Sequence, residues 1–128
     1  MNIDPNLVLF YVNNPFVSAK FYERVLGSKP IESSPSYVMF VLKSGLRIGL
    51  WAKSDVEPKV TLLGGGSELS FQVNDFDAID TLYARWQHEM EIAQVPTLMD
   101  FGYTFVILDP DHHRLRFFAL KPELNVSR

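Results

Sequence analysis

Apolar residues alternate with polar ones in two similar series of strands and helices. The first series begins with an apolar run at 7–13 and continues after Asn14-Pro15 with a helical period at 16–26. Asn14 is a favoured N-cap, Pro15 suits the first helical position, and Gly27 suits the left-handed residue that ends a helix. The runs that follow predict three strands, at 30–34, 37–42 and 46–52.

The same order of elements returns in the second half of the chain. Residues 69–73 alternate as a strand, Asn74-Asp75 caps a helix, and the helix is expected at 76–88. Its predicted core face is apolar and aromatic and consists of Phe76, Ile79, Tyr83 and Trp86. Three more strands are predicted, at 92–95, 102–108 and 114–120, and Pro96 is expected to end the first of them.

The two halves match at one shared offset of 61 positions. At that offset Val12-Asn13 matches Val73-Asn74, and Arg24 matches Arg85. A shared offset across a strand, a cap and a helix indicates an internal repeat. The sequence therefore predicts an α+β fold made of tandem βαβββ modules, with a few extra residues before the last hairpin of the second. A single domain is expected over 1–128, with module one at about 6–53, a linker at about 54–66 and module two at about 67–121.

Composition excludes several classes of function. The net charge is −3 and the basic residues are scattered, which argues against a nucleic-acid partner. No apolar run approaches the roughly 18 residues of a spanning helix, and the first residues lack a signal-peptide pattern. The chain has no cysteine, so it has no disulfide or thiol chemistry. We expect a cytoplasmic protein that engages neither nucleic acid nor membrane.

The last hairpin carries an unusual charge. Asp109-Pro110-Asp111 predicts a tight turn, because proline presets φ and aspartate bonds its own backbone. The strand after it holds Arg116 between Leu115 and Phe117. An arginine in such a strand faces either solvent or a pocket. The histidines nearby and elsewhere (His88, His112 and His113) are expected to be solvated surface residues, since adjacent histidines on a turn diverge.

Two motifs in this order resemble a known family. They are FYxxVLG, which ends at Gly27, and DPDxxxxxF, which runs from Asp109 to Phe117. Together with the repeat they resemble the vicinal oxygen chelate superfamily over roughly residues 6–121, a superfamily that holds glyoxalase I, extradiol dioxygenases and antibiotic-binding resistance proteins. The resemblance implies a curved sheet built from both modules and a homodimer, closed by exchange of modules between chains.

The resemblance also implies where a metal would bind. Metal-dependent members place four ligands on four strands, and the matching positions here are Leu7, Gly49, Glu68 and Arg116. Leucine and glycine offer no side-chain lone pair, and guanidinium has donors but no acceptor. Only Glu68 could therefore bind a metal ion. We expect no metal and no cofactor, which disfavours glyoxalase and dioxygenase activity.

Strand alternation gives a candidate ligand site around these positions. Arg116 brings Phe118 and, nearer the rim, Arg114 to its face of the sheet. The predicted ligand-binding residues share that face or its counterpart in the first module: Leu7, Tyr11, Gly49, Trp51, Glu68, Ser70, Tyr103, Phe105, Arg116 and Phe118. Gly49 would leave space beside Trp51, whose indole could stack on a planar ring.

Each of these roles has an alternative. Glu68 and Arg116 are expected to form an ion pair, or Arg116 could hold a carboxylate or phenolate of the ligand. Trp51 could instead be ordinary core or dimer-interface packing, and Arg116 would face solvent if the strand register were shifted by one.

The resemblance is strongest to metal-free phenazine-, bleomycin- and mitomycin-binding resistance proteins. It implies a non-catalytic homodimer that sequesters a small planar aromatic molecule. One alternative is a metal-independent lyase or isomerase that uses Glu68 as general base. Another is a pseudo-enzyme with a structural or regulatory role.

Overall fold

A computed structural model describes residues 3–124, apart from the side chain of Leu124. Residues 1–2 and 125–128, the ends of the predicted domain, lie outside the described residues. The chain divides between Gly64 and Gly65 into two compact units. Each unit has the order βαβββ and forms a mixed four-stranded sheet, so the predicted α+β class and the tandem modules are confirmed. The single domain over the whole chain stays a prediction.

From residue 3 onward, the first unit contains one α-helix, four strands and a short 3-10 helix at Lys53–Asp55. Its elements are β1 (Leu7–Val12), α1 (Pro15–Leu26), β2 (Glu32–Ser33), β3 (Tyr37–Val41) and β4 (Arg47–Ala52). The strand order is β1-β4-β3-β2, in which β1 runs parallel to β4 and the other pairs are antiparallel. The Asn14 side chain accepts hydrogen bonds from the amides of Phe16 and Val17, and Gly27 ends the helix at φ 69°, as predicted.

One face of this sheet packs under α1. Tyr22, fully buried, stacks on Phe10 with ring centroids 5.9 Å apart. Alternate residues of β1, β3 and β4 are buried with them: Val12, Val38, Phe40, Ile48, Leu50 and Ala52. Because side chains alternate along a strand, the residues between these point to the face that the helix does not cover.

The second unit repeats this plan. Its elements are β5 (Glu68–Gln72), α2 (Phe76–Trp86), β6 (Glu91–Leu98), β7 (Gly102–Leu108) and β8 (Arg114–Leu120), and its strand order is β5-β8-β7-β6. The core under α2 is aromatic. The Phe117 ring lies between those of Phe71 at 4.6 Å and Phe105 at 5.2 Å, and Trp86 packs on it at 5.1 Å.

The C-terminal ends of two elements differ from the prediction by two or more residues. The strand β6 does not stop at Pro96 but continues to Leu98. It is the edge strand of its sheet, and its register against β7 shifts between Gln94 and Thr97. An edge strand tolerates proline because one side of its backbone needs no partner. The helix α2 ends at Trp86, two residues before the predicted end.

Strand pairing gives a residue-by-residue correspondence between the units. Leu7 pairs with Arg47 in the first, and Glu68 pairs with Arg114 in the second. The longer interval in the second unit confirms the extra residues predicted before its last hairpin. By this correspondence Gly49 is the counterpart of Arg116, since Leu9 pairs with the former and Ser70 with the latter. Among the described helices, none has the length and apolar content needed to cross a membrane.

Candidate functional site

The uncovered face of the first unit carries a row of aromatic side chains. Tyr11, Trp51 and Tyr37 are direct cross-strand neighbours on β1, β4 and β3. The Tyr11 and Trp51 rings meet edge to face, with centroids 6.4 Å apart. Leu7 and Leu9 flank the row and are 37% and 40% exposed. We call this surface the first open face; its members are Leu7, Leu9, Tyr11, Tyr37, Met39, Val41, Arg47, Gly49 and Trp51.

The space above Gly49 is occupied, contrary to the prediction that it lies open beside Trp51. A Cβ at position 49 would lie 2.5 Å from the Tyr37 hydroxyl oxygen and 2.7 Å from Leu9 Cδ2. Gly49 therefore serves to let these two side chains close over the strand. Burial raises the pKa of Tyr37 and the Glu32 carboxylate raises it further, while Arg47 lowers it, so the hydroxyl keeps its proton as a donor at neutral pH.

Sequence reasoning missed Tyr37 as a member of this face. The residue was placed in a strand, but its partner across the sheet depends on the hairpin register between β3 and β4. A three-residue turn at Lys43-Ser44-Gly45 sets that register, and it brings Tyr37 opposite Trp51. The length of that turn was the available signal.

The uncovered face of the second unit is built around one ion pair. Arg116 donates from Nε to Glu68 Oε1 and from Nη2 to Oε2, both at 2.9 Å. The predicted pairing of Glu68 with Arg116 is therefore confirmed, in a bidentate geometry. We call this surface the second open face; its members are Glu68, Ser70, Gln72, Gln94, Thr104, Val106, Arg114, Arg116 and Phe118.

Two neutral side chains complete the surroundings of Arg116. Its Nη1 donates to Gln94 Oε1 at 3.0 Å and to Thr104 Oγ1 at 3.2 Å. The hydroxyl of the fully buried Thr104 donates a hydrogen bond to the Phe117 carbonyl oxygen at 2.8 Å, and its oxygen accepts the bond from Arg116. Sequence reasoning missed Thr104 because it assigned β7 to the wrong alternation, and it missed Gln94 because it assigned no face to the residues of β6.

Arg116 holds Glu68 in its charged form. Its hydrogen bonds lower the pKa of Glu68 below the ordinary value of 4.5, partial burial opposes the shift, and the charges of Arg116 and Arg114 add to it. A carboxylate with a lowered pKa and both oxygens occupied is a weak proton acceptor at neutral pH. This arrangement argues against Glu68 as a general base.

Tyr103 and Phe105 lie on the other side of the sheet, so their predicted position on the Arg116 face is wrong. In the antiparallel pairing of β7 with β8, Phe105 stands opposite Phe117 and Val106 opposite Arg116. Phe105 is fully buried and packs edge to face on Tyr83 of α2. Tyr103 donates to Asp80 Oδ1 at 2.8 Å, also on α2.

The remaining predicted residues divide between the two open faces. Leu7, Tyr11, Gly49 and Trp51 lie on the first, as strand alternation requires. Glu68, Ser70, Arg116 and Phe118 lie on the second. Phe118 meets Phe101 edge to face with centroids 6.1 Å apart, and Ser70 is exposed. Whether these residues bind a ligand stays a prediction.

The residues at the four metal positions do not fit a divalent ion. Leu7, Gly49 and Arg116 supply no lone pair, and both oxygens of Glu68 accept from Arg116. Within residues 3–124, no three histidine, aspartate or glutamate side chains come close enough together to hold a metal. We therefore derive no chemistry through a metal at this site.

The closing turn positions His113 differently from the prediction. Asp109, almost fully buried, accepts from the amides of Asp111 and His113 and so forms the turn, as predicted. His113 is only 8% exposed and is not a solvated residue, because the turn folds it inward. His112 is exposed, adopts φ 67° and lies 3.6 Å from a Glu91 carboxylate oxygen.

Known proteins match this chain in sequence and in fold. The family described as the Glyoxalase/Bleomycin resistance protein/Dioxygenase superfamily matches residues 5–117. The phenazine antibiotic resistance protein EhpR of Enterobacter agglomerans is 31% identical over 122 residues, which cover 92% of this chain and 93% of that protein.

Solved structures share the fold. A protein of Agrobacterium tumefaciens, solved by NMR in solution, superimposes with a TM-score of 0.83 at 43% identity, covering 94% of this chain and 99% of its own. A glyoxalase-related enzyme from Fulvimarina pelagi superimposes with a TM-score of 0.79 at 19% identity, covering 91% of this chain and 87% of its own. The second likeness concerns the fold alone.

Proposed function

The chain belongs to the Glyoxalase/Bleomycin resistance protein/Dioxygenase superfamily, and we propose that it binds a small planar aromatic molecule of the phenazine class without changing it chemically. The similarity to a phenazine antibiotic resistance protein, which extends over 92% of the chain, supports this ligand class. The proposed role is sequestration: the bound molecule is withheld from its target, and no bond is made or broken.

The observation that carries the proposal is the aromatic row on the first open face. Tyr11, Trp51 and Tyr37 lie side by side across three strands, and Tyr11 is 36% exposed. Their neighbours Leu7, Leu9 and Val41 are also more than a third exposed. A largely apolar surface with polar groups such as the Tyr37 hydroxyl suits a flat heterocycle that needs stacking and a hydrogen bond.

The chemistry of the second open face favours binding over turnover. Glu68 is the acid-base group that the enzyme alternative requires, and Arg116 occupies both of its oxygens. A general base must reach the proton that it removes and must have a pKa near the working pH. The pKa of Glu68 is lowered from 4.5, away from the neutral range, so no observation favours the lyase or isomerase alternative.

Tryptophan fluorescence tests this proposal, because the chain has two tryptophans in different settings. Trp51 is partly exposed on the first open face, whereas Trp86 is 4% exposed under the second sheet. Titration with phenazine-1-carboxylate should quench the wild type and the Trp86→Phe variant. Trp51→Phe should lose most of the quenching, because the remaining indole contacts no ligand.

Two results would overturn the proposal. One is the absence of saturable quenching in the wild type; the other is undiminished quenching in Trp51→Phe together with its loss in Trp86→Phe. Chromatography of the released ligand separates sequestration from catalysis. The ligand should be recovered unchanged after long incubation, and conversion that disappears in Glu68→Gln would establish an enzyme.

We also propose that the chain forms a homodimer, as the family resemblance implies. Sedimentation equilibrium at micromolar concentration should give twice the chain mass of 14.7 kDa. A monomer at that concentration would contradict this part of the proposal and leave the ligand assignment to the fluorescence test.

A further inference from the structure

The first open face carries a hydroxyl that finds no acceptor among residues 3–124. In that part of the chain the Tyr37 side chain makes no hydrogen bond, and the bonds between this residue and Ser34 use the Tyr37 backbone. We propose that the Tyr37 hydroxyl donates a hydrogen bond to a ring nitrogen of the bound aromatic molecule, so that the protein selects aza-aromatic ligands over all-carbon rings of the same shape. This inference rests on the proposed function and deepens it by naming the ligand atom that the site recognises.

The glycine of β4 fixes the place of this hydroxyl. Tyr37 lies opposite Trp51, and its ring leans over the neighbouring strand until the hydroxyl oxygen lies 2.5 Å from the point that a Cβ of residue 49 would occupy. Leu9 Cδ2 approaches the same point from β1, at 2.7 Å. Because position 49 is a glycine, the hydroxyl can lie directly over β4, beside a leucine side chain that supplies no acceptor.

The hydroxyl is a donor that needs a partner. Burial raises the pKa of Tyr37 and the Glu32 carboxylate raises it further, while Arg47 lowers it, so the phenol keeps its proton at neutral pH. A partly buried hydroxyl without a protein acceptor bonds to water, because leaving it unpaired costs free energy. A ligand that covers the hydroxyl displaces that water. A ring nitrogen then restores the hydrogen bond, whereas a C–H at the same place leaves the hydroxyl unpaired.

The edge of a stacked ring can reach this hydroxyl within the first unit. Side chains stand roughly perpendicular to a sheet, so a ring that lies against the Trp51 indole points one edge toward the strands. Trp51 lies two residues beyond Gly49 on β4, a distance of roughly 7 Å along the strand. A system of three fused rings is longer than that. The lone pair of a ring nitrogen lies in the ring plane, at the edge, and can therefore point at the Tyr37 hydroxyl.

Two other donors on this face are less suited to a ring nitrogen. The N–H of Trp51 lies in the plane of the indole, so it points past a ring that is stacked on that plane. Arg47 is exposed two residues before Gly49, and Glu32, opposite Met39 on β2, brings a carboxylate to the same face. A guanidinium binds anionic acceptors more strongly than neutral ones. Arg47 would therefore respond to an acidic substituent and not to a nitrogen in the ring.

Two probes of the same shape test the inference. Phenazine-1-carboxylate and anthracene-1-carboxylate share three fused rings and an acid group, and they differ in the ring nitrogens. Tyr37→Phe should weaken binding of the phenazine about fivefold, as the net loss of one hydrogen bond predicts, and should change anthracene binding by less than about twofold. Isothermal titration calorimetry measures both affinities.

Two control variants and one stability measurement accompany this test. Tyr103→Phe removes the hydroxyl that donates to Asp80 in the second unit and should leave both affinities unchanged. Arg47→Met should leave the ratio of the two affinities unchanged, because both probes carry the acid group. Tyr37→Phe should unfold at the wild-type urea midpoint, since the hydroxyl that it lacks bonds to no group in residues 3–124.

The outcomes separate this inference from the proposed function. Equal loss of affinity for both probes in Tyr37→Phe, unchanged phenazine affinity, or a ratio that collapses in Arg47→Met instead would overturn the inference and leave aromatic binding established. If neither acid binds, the proposed function fails, and NMR titration with quinoline and with naphthalene then decides the inference. A shift of the Tyr37 Cζ resonance with quinoline and none with naphthalene would support it, and any other pattern would refute it.

Discussion

The two units share one strand arrangement but exchange a small and a large side chain at two equivalent positions. In the first, the small residue Gly49 lies on the last strand and the large Tyr37 leans over it from the neighbouring strand. In the second, the large residue Arg116 occupies the last strand and the small Thr104 lies beside it. Each pair fills the same space with one large and one small side chain, as close packing requires.

This exchange decides the chemistry of each open face. When the large side chain is a tyrosine beside Trp51 and Leu9, the surface is apolar and flat. When it is an arginine, it needs acceptors, and Glu68, Gln94 and Thr104 supply them. A repeated fold can thus carry an apolar aromatic surface in one unit and a charged, hydrogen-bonded surface in the other.

Replacing the Arg116 guanidinium with an uncharged side chain should have the largest effect on stability. In Arg116→Met the Glu68 carboxylate loses its bidentate partner and Gln94 and Thr104 lose their donor. Leaving partly buried polar and charged groups unpaired costs about 2–3 kcal/mol. Urea denaturation followed by circular dichroism should show that loss.

Arg114→Met is the control for this variant. The ion pair of Arg114 with Glu68 is 3.9 Å long, and the Arg114 side chain is half exposed. Such pairs contribute about 0.5 kcal/mol or less. If the two variants lost equal stability, the contrast between Arg116, which makes four hydrogen bonds, and Arg114, which makes one contact at 3.9 Å, would be wrong.

Replacing the aromatic residue of the first open face should have the next largest effect, and on affinity. Trp51→Leu should weaken binding of phenazine-1-carboxylate roughly tenfold, which is about 1.4 kcal/mol, because an indole offers a flat face to the ring and leucine does not. Phe118→Leu changes the equivalent position of the second unit and should weaken binding less than about threefold. Isothermal titration calorimetry measures both. A larger loss of affinity in Phe118→Leu than in Trp51→Leu would mean that the ring stacks on the second open face and not on the first.

Adding one methyl group to the first unit should have a moderate effect. A Cβ in Gly49→Ala would meet the Tyr37 hydroxyl and Leu9 at less than 3 Å, so both side chains must move, at about 1 kcal/mol. Tyr37→Thr installs the residue that the second unit has at this point. Gly49→Ala should reduce the free energy of unfolding less in the Tyr37→Thr background than in the wild type. A double-mutant cycle by urea denaturation measures the difference. An unchanged cost would mean that Tyr37 does not fill the space over Gly49.

The smallest expected effect concerns pH. Because Arg116 lowers the pKa of Glu68, the folded state favours the ionised form, and the resulting stabilisation is fully present above the unfolded pKa. It is lost as the pH falls below about 4.5 and through the lower pKa of the folded state. The stability advantage of wild type over Glu68→Gln should therefore shrink on acidification. The same comparison in an Arg116→Met background should lose most of this pH dependence, and an equal dependence in both backgrounds would contradict the stated cause.

Much of the fold could be predicted from the sequence because the relevant signals are local. The N-cap Asn14, the left-handed Gly27 and the turn at Asp109-Pro110-Asp111 each act within a few residues. The Glu68–Arg116 pair was predicted from the family resemblance, which places both residues at positions where metal ligands converge, and the parallel pairing of β5 with β8 brings the charges together.

The predictions that failed depend on register and on edges. Tyr103 and Phe105 were assigned to the wrong face because a shift of one residue along β7 moves every side chain to the other side. Pro96 did not end its strand, since only the position of β6 at the sheet edge makes proline acceptable there. The closure of Tyr37 over Gly49 is a packing detail that no local pattern records.

The central claim is that the aromatic row of the first open face receives a planar ligand. Two-dimensional NMR during titration with phenazine-1-carboxylate tests it most directly, because the indole N–H signals of Trp51 and Trp86 report on both units at once. We predict a large saturable shift of the Trp51 indole and of the Gly49 amide, with the Trp86 indole unmoved. A shift of Trp86 with Trp51 and Gly49 unchanged would contradict it.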